Sequence, residues 1–297
     1  MNEGESDEVV FTGTTYNKQT LYEDTTITTL KSVSVKGISG IGHALFGIIV
    51  NGKALIDSGN SYTLPSIDST YRANPSAGFS IVTYEATNTL NQNIAHGLNV
   101  KPDFMIFKSR DSAANWNVWH KEYTTDEQKV IYLNLDSTGS SYSGGSSTWW
   151  YARPDSNVFW YGETGTSINM SSGDKMVAYC WSEVEGYSKF GKFTGDGTTD
   201  GPFIWCGFRP AWIMFKRTNM GYGWNIYDSA RDTFNEANVS HLHAETNAAE
   251  VDSTEGAFDM LSNGFKMRGD WNIHNAEDGE YIFAAFAESP FKHNNAH

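Results

Sequence analysis

The stretch GPFIWCGFRPAWIMFKRTNMGYGWNIYDSARD, Gly201 to Asp232, decides the reading of the fold, because the chain contains its pattern twice. Lys101 to Trp119 reads KPDFMIFKSRDSAANWNVW, and Arg209 to Tyr227 reads RPAWIMFKRTNMGYGWNIY. The two align at an offset of 108 without a gap, with five of 19 positions identical and six more conservatively replaced. A fixed period is the first property to test in a sequence, since missing it misreads the whole fold.

The echo extends outward on both sides. Ser156-Asn-Val-Phe159 returns as Ser262-Asn-Gly-Phe265, and Met176-Val-Ala-Tyr-Cys-Trp-Ser-Glu183 returns as Tyr281-Ile-Phe-Ala-Ala-Phe-Ala-Glu288. Gly78-Phe-Ser and Gly186-Tyr-Ser open the two copies. Each copy spans about a hundred residues, which makes this a duplicated domain-sized unit and not a short solenoid repeat. The expected organisation is an acidic disordered tail over 1–8 and a small N-terminal β-module over 9–75, for attachment or oligomerisation. Repeats over 76–184 and 185–292 follow.

Short strand-like runs separated by turns recur in each copy, which predicts an all-β chain of sandwich or jelly-roll type. Phe104–Phe107 and Trp212–Phe215 read as apolar strands, and Trp116–Trp119 and Trp224–Tyr227 alternate as if one face were buried. A first strand pair is expected around the turns at Asn88–Gly97 and Gly195-Asp196-Gly197. In the N-terminal module, Asn51-Gly52 between apolar runs is a hairpin signal. Ser66–Ala77 reads as a polar linker, and Asn235–Glu250 as room for a short helical turn.

The chain has 297 residues, 35 acidic against 21 basic, for a net charge of −14. That balance argues against nucleic acid, whose phosphates require cationic contacts. No apolar run approaches the ~20 residues that span a bilayer, and the start MNEGESDEVV lacks the layout of a secretion signal. Cys180 and Cys206 read as buried thiols, not a disulfide framework or a metal knuckle.

The second copy resembles a domain of unknown function common in tail-associated virion proteins of tailed bacteriophages. The resemblance rests on Phe193-Thr-Gly-Asp-Gly-Thr-Thr-Asp-Gly-Pro-Phe203, Cys206-Gly-Phe-Arg-Pro-Ala-Trp212, Tyr227-Asp-Ser-Ala-Arg-Asp232, Leu261-Ser-Asn-Gly-Phe-Lys266 and Tyr281-Ile-Phe-Ala-Ala-Phe-Ala-Glu-Ser-Pro-Phe291. With the first copy it covers about residues 76–292. Cys206 departs from the neutral residue usual before Gly-Phe-Arg-Pro. The resemblance implies a virion component on the particle exterior, in a tail fibre or other appendage, and implies no catalytic residues. Expected partners are other virion proteins, further copies of the chain in a homo-oligomer (a trimer by analogy with fibres), and host surface polysaccharide. A capsid-surface decoration protein is the alternative role, and a polysaccharide depolymerase a more distant one.

Candidate sites each have a plainer explanation. Trp149-Trp150-Tyr151 with Trp160 is the densest aromatic cluster, suited to stacking on sugar faces or to plugging a core or interface. Asp196 and Asp200 offer hard oxygen ligands but lack the closing carboxylate of a calcium loop, and Asp-Gly pairs also make hairpin turns. His241 and His243 share one side of a strand, with Glu245 following, but a third metal ligand is undefined. No G-x-S-x-G, P-loop or H-E-x-x-H is present, and Glu183 and Glu288 are equivalent strand-end residues in the two copies. No enzyme activity and no cofactor are therefore expected.

Overall fold

The computed structural model describes residues 49–50, 53–54, 65–89, 91–123, 129–141, 153–161, 171–232, 235, 239–253 and 258–289. The chain divides into two units, Met1–Tyr62 and Thr63–His297. In the first, Ile49–Val50 pairs antiparallel with Lys53–Ala54, the hairpin that Asn51-Gly52 signals. The second unit holds both copies. It is all-β, with one 3-10 turn at Pro75–Ala77 and no α-helix among the described residues.

Each copy builds the same two-layered sandwich. In the first, a large sheet runs in the spatial order Ser69–Asn74, Phe79–Glu85, Lys175–Trp181, Phe104–Ser109, Asn117–His120, Lys129–Tyr132, Ser140–Ser141. A small sheet, Arg153–Pro154, Val158–Tyr161, Gln92–Ala95, covers one face. In the second copy the large sheet is Ser188–Thr194, Glu280–Ala287, Pro210–Arg217, Trp224–Asp228, Val239–His243, Val251–Ser253, and the small sheet is Phe203–Trp205, Gly264–Met267, Phe258–Leu261. Register is preserved as well as order. Phe104 lies between Trp181 and His120, and its counterpart Trp212 lies between Phe286 and Asp228.

Three cores result. Met105, Phe107, Trp119, Phe159 and Cys180 fill the first sandwich, and Ile213, Phe215, Tyr227, Phe265 and Ala285 fill the second. Cys180 and Ala285 are thus the same small inward position in two copies. The third core draws on both copies: Phe104, Val118 and Ile131 pack against Phe190, Met214, Trp224, Ile282 and Ala284. The large sheets therefore meet through the faces turned away from their own small sheets. Phe104 and Phe190 stack across this junction at 5.5 Å with planes 13° apart. Trp224 donates its indole N–H to the Tyr132 carbonyl (2.8 Å), and His120 Nε2 lies 3.0 Å from the Phe283 carbonyl oxygen.

This junction explains a difference from the expected pattern. Asn117 to His120 are all buried, not alternately buried, because one side of the strand faces its own sandwich and the other faces the second copy. Three further expectations are corrected. No strand pair forms around the two expected turns: Asn88–Gly97 itself contains the small-sheet strand Gln92–Ala95, and Gly195–Gly197 carries the chain from the large sheet to the small one. Within Asn235–Glu250 the described residues form the strand Val239–His243, where β-branched Val239 and two histidines favour an extended chain over a helical turn. Residues 66–77, read as a linker, supply the first sandwich with its outer strand, Ser69–Asn74, which pairs with Phe79–Glu85.

Candidate functional site

Among the described residues the two copies differ at one sheet edge. In the first sandwich the edge strand Phe79–Glu85 is covered by Ser69–Asn74. Just before it, Ile67 bridges Ile94 of the small sheet and is buried in the first core. The side opening between large and small sheets is thus plugged by one aliphatic side chain and closed by one strand. Ser66 fixes the entry, its N–H donating to Asn93 Oδ1 (2.6 Å) and its hydroxyl accepting from Asn93 N–H (2.8 Å).

In the second sandwich no described strand occupies that place. Ser188–Thr194 ends the large sheet and Phe203–Trp205 ends the small one. Between them lies a groove of about 390 Å³, lined by Lys121, Glu122, Lys189–Phe193, Phe203–Trp205 and Phe283. Its lining mixes aromatic and aliphatic side chains with lysines and Glu122. A Cβ on Gly191 would stand 2.7 Å from the Phe283 ring, so glycine is what lets that ring lie against the strand.

The rim is aromatic and charged. Phe203 and Trp205 point away from inward Ile204 and are 44% and 59% exposed, large values for such side chains. Lys189 Nζ sits 5.9 Å from the Trp205 ring centroid and 3.0 Å from Glu183 Oε2. Glu183 also receives Lys121 Nζ at 2.6 Å and the Phe190 N–H at 2.9 Å. Burial alone would raise the Glu183 pKa, but these donors outweigh it and hold the carboxyl below its ordinary value. Burial likewise disfavours the Lys121 ammonium, while Glu183 and Asp103 more than offset it and raise its pKa. Lys192, at 3.5 Å from Glu122, keeps a side chain 65% exposed.

The residues singled out in the sequence fall elsewhere. Trp149, Trp150 and Tyr151 lie outside the described residues. Trp160 is half-buried on the small sheet of the first sandwich, between Phe159 and Tyr161, which turn the other way into the core. Asp196 accepts from Thr198 N–H and from the Asn275 amide, each at 3.0 Å, which organises the sheet-switching turn. Asp200 Oδ1 faces Lys266 at 3.1 Å and Arg268 at 3.0 Å, a cationic setting that opposes a calcium ion.

His241 and His243 do share a side of their strand, with ring centroids 4.9 Å apart. Nothing in the spacing pointed to the third histidine, His274, which arrives from a distant turn 5.6 Å from His241 and hydrogen-bonds the Tyr227 hydroxyl. Burial pushes His241 down to about 4, aided by His243, and His274 down to about 3, aided by both others. Glu245 Oε1 lies 3.5 Å from His243 Nδ1, while its other oxygen accepts the Trp224 N–H at 3.0 Å. Among the described residues no three His, Cys, Asp or Glu side chains converge as a metal ion requires. His241 and His274 are held neutral and pack among the aromatic rings of the second core.

Neither thiol has the setting of a nucleophile. Burial raises the Cys180 pKa far above that of a free thiol and Cys206 up to about 12, so the reactive thiolate is suppressed. Glu288 ties Arg209 at 3.1 Å, as Glu183 ties Lys121, so both strand-end glutamates fasten neighbouring segments.

A family model described as Domain of unknown function (DUF7483) matches residues 48–290. The chain belongs to that family. The match spans the 49–54 hairpin and both sandwiches, so the family's unit includes the pair of copies. No curated protein and no solved structure matches the chain.

Proposed function

We propose that the chain is a non-enzymatic structural protein of the tailed-phage virion exterior, an appendage component that contacts host-surface glycan through its second sandwich. The virion assignment is supported by the motifs from Phe193 to Phe291 that resemble tail-associated phage proteins. The observation that carries the glycan contact is the exposed pair Phe203 and Trp205 beside Lys189 and Lys192. Aromatic faces stack on the C–H faces of sugars, and ammonium groups suit the carboxylates of acidic polysaccharides. Asp200, Lys266 and Arg268 add polar groups next to Phe203, whose register partner is Lys266. The second reading, a capsid-surface decoration protein, draws on the rigid back-to-back pairing of the two sandwiches, which suits a structural spacer.

Binding of host capsular or lipopolysaccharide fragments tests the glycan contact. The full chain is expected to bind them, and Trp205→Ala is expected to weaken binding at least tenfold without changing the melting temperature by more than a few degrees. Binding that survives Trp205→Ala would move the contact elsewhere, and no binding to cells or polysaccharide alongside tight binding to capsids would favour decoration.

A further inference from the structure

Among the described residues the second sandwich has no counterpart of the strand that closes the first, and the groove lies at the corresponding edge. Strand register sets the positions of the two copies in correspondence. Tyr84 and Phe193 occupy matching edge positions, since each lies opposite its central-strand partner (Met176 or Tyr281) at the same level of the sandwich. Ile94 and Ile204 match through their partners Phe159 and Phe265. In the first copy Ile67 meets Ile94 and Ser69 pairs with Tyr84. The corresponding side chains of the second copy, Ile204 and Phe193, are largely buried and line the groove, which also reaches Lys121 and Glu122 of the first copy.

The backbone of the open edge offers pairing groups there. Ser188 and Phe190 point their N–H groups outward, to the Val184 carbonyl (2.9 Å) and to Glu183 (2.9 Å). Strand parity then turns Lys192 and Thr194 outward too. The linker between copies and Glu183 therefore cover the first half of this edge, and only the half around Lys192–Thr194 is open. The matching half of the template is Ser66-Ile-Asp-Ser-Thr70.

We infer that the second sandwich accepts a short extended polypeptide segment from a neighbouring protein, of about five residues, which adds as a strand along Lys192–Thr194 and inserts one aliphatic side chain between Phe193 and Ile204. Strand addition of this kind draws affinity from main-chain hydrogen bonds and specificity from a side-chain slot. Lysines on an open edge deter indiscriminate pairing. In this register an acidic residue after the plug, as Asp68 follows Ile67, lies opposite Thr194 and diagonal to the exposed Lys192 on the same face. This protein-docking site shares Lys192 and the groove with the proposed sugar-stacking face of Phe203 and Trp205, but rests on the strand edge and does not depend on glycan binding.

The test is titration of the full chain with the synthetic peptide Pro-Ser-Ile-Asp-Ser-Thr-Tyr, its own residues 65–71, followed by backbone NMR shifts and calorimetry. Saturable binding is expected, with the largest shifts at Gly191–Thr194 and Ile204. The peptide with Asp in place of its Ile should bind at least tenfold more weakly. Lys192→Pro, which removes an outward N–H while leaving the inner ladder intact, should abolish binding, whereas Lys192→Ala should reduce it only modestly. Equal binding of both peptides, or no binding of the first, overturns the inference. An acidic oligosaccharide that shifts these same Gly191–Thr194 amides while the peptide does not would also overturn it and assign the groove to sugar.

Discussion

Lowering the pH from 7.5 to 5.0 should strip the duplicated body of most of its stability. Burial holds His96, His120 and His241 down to about 4 and His274 down to about 3. His96 gains some support from the Asp155 carbonyl and His120 from that of Phe283, but burial dominates both. In the unfolded chain each titrates near 6.5, so the unfolded state binds protons that the native state refuses. Stability is thus complete above about 6.5 and is lost as pH falls below it, by about 1.4 kcal/mol per histidine per pH unit. Four such groups at pH 5.0 amount to roughly 8 kcal/mol at most, comparable with a whole domain's ~5–15 kcal/mol. The carboxylates contribute nothing to this window. Glu183 and Asp228 have lowered pKa values, so their stabilisation is present above about 4 and is lost only as pH falls further. Calorimetric melts should show Tm falling by ~15 °C or more between pH 7.5 and 5.0. His120→Gln, which keeps a donor for the Phe283 carbonyl, should make the fall shallower. A Tm constant to within a few degrees over that range would contradict the neutral burial of these rings.

Trp224→Ala should be the most destabilising single truncation at the junction between copies. The ring is fully buried in the third core, its indole N–H binds the Tyr132 carbonyl of the other copy, and its backbone N–H binds Glu245. Truncation leaves a cavity and removes the indole hydrogen bond across the junction, at a cost of about 3–5 kcal/mol. Trp116 is its counterpart in sequence but is only half-buried. Trp116→Ala should therefore cost no more than about half as much, since less surface returns to water. Urea unfolding of both variants checks the contrast. Equal losses would mean that the shared motif, and not the junction, sets the burial of these tryptophans.

The sequence made the duplication and the strand content readable because inward positions were kept in both copies. Met105/Ile213, Phe107/Phe215 and Trp119/Tyr227 are like-for-like pairs facing their own cores. The junction was harder to see. Phe104/Trp212 and Ile106/Met214 are also like for like, but alternation cannot distinguish a second buried face from a central strand's uniform apolarity. The groove left almost no trace. Phe203-Ile204-Trp205 has period two, yet nothing local tells which face is inward, and the short connection between copies, 182–187, has no room to repeat residues 66–74. His274 was invisible for a similar reason: its neighbours His241 and His243 are distant in sequence, and only the fold brings them together. Asp196 and Asp200 carried correct chemistry but had their oxygens committed to Thr198, Asn275, Lys266 and Arg268 by contacts that no spacing encodes.

Immunogold electron microscopy of intact phage particles, with antibody raised against residues 76–292, tests the virion assignment most directly. Gold at the tail tip or along an appendage is the predicted result. Particles without label, when the same antibody detects the protein in infected cells, would contradict it.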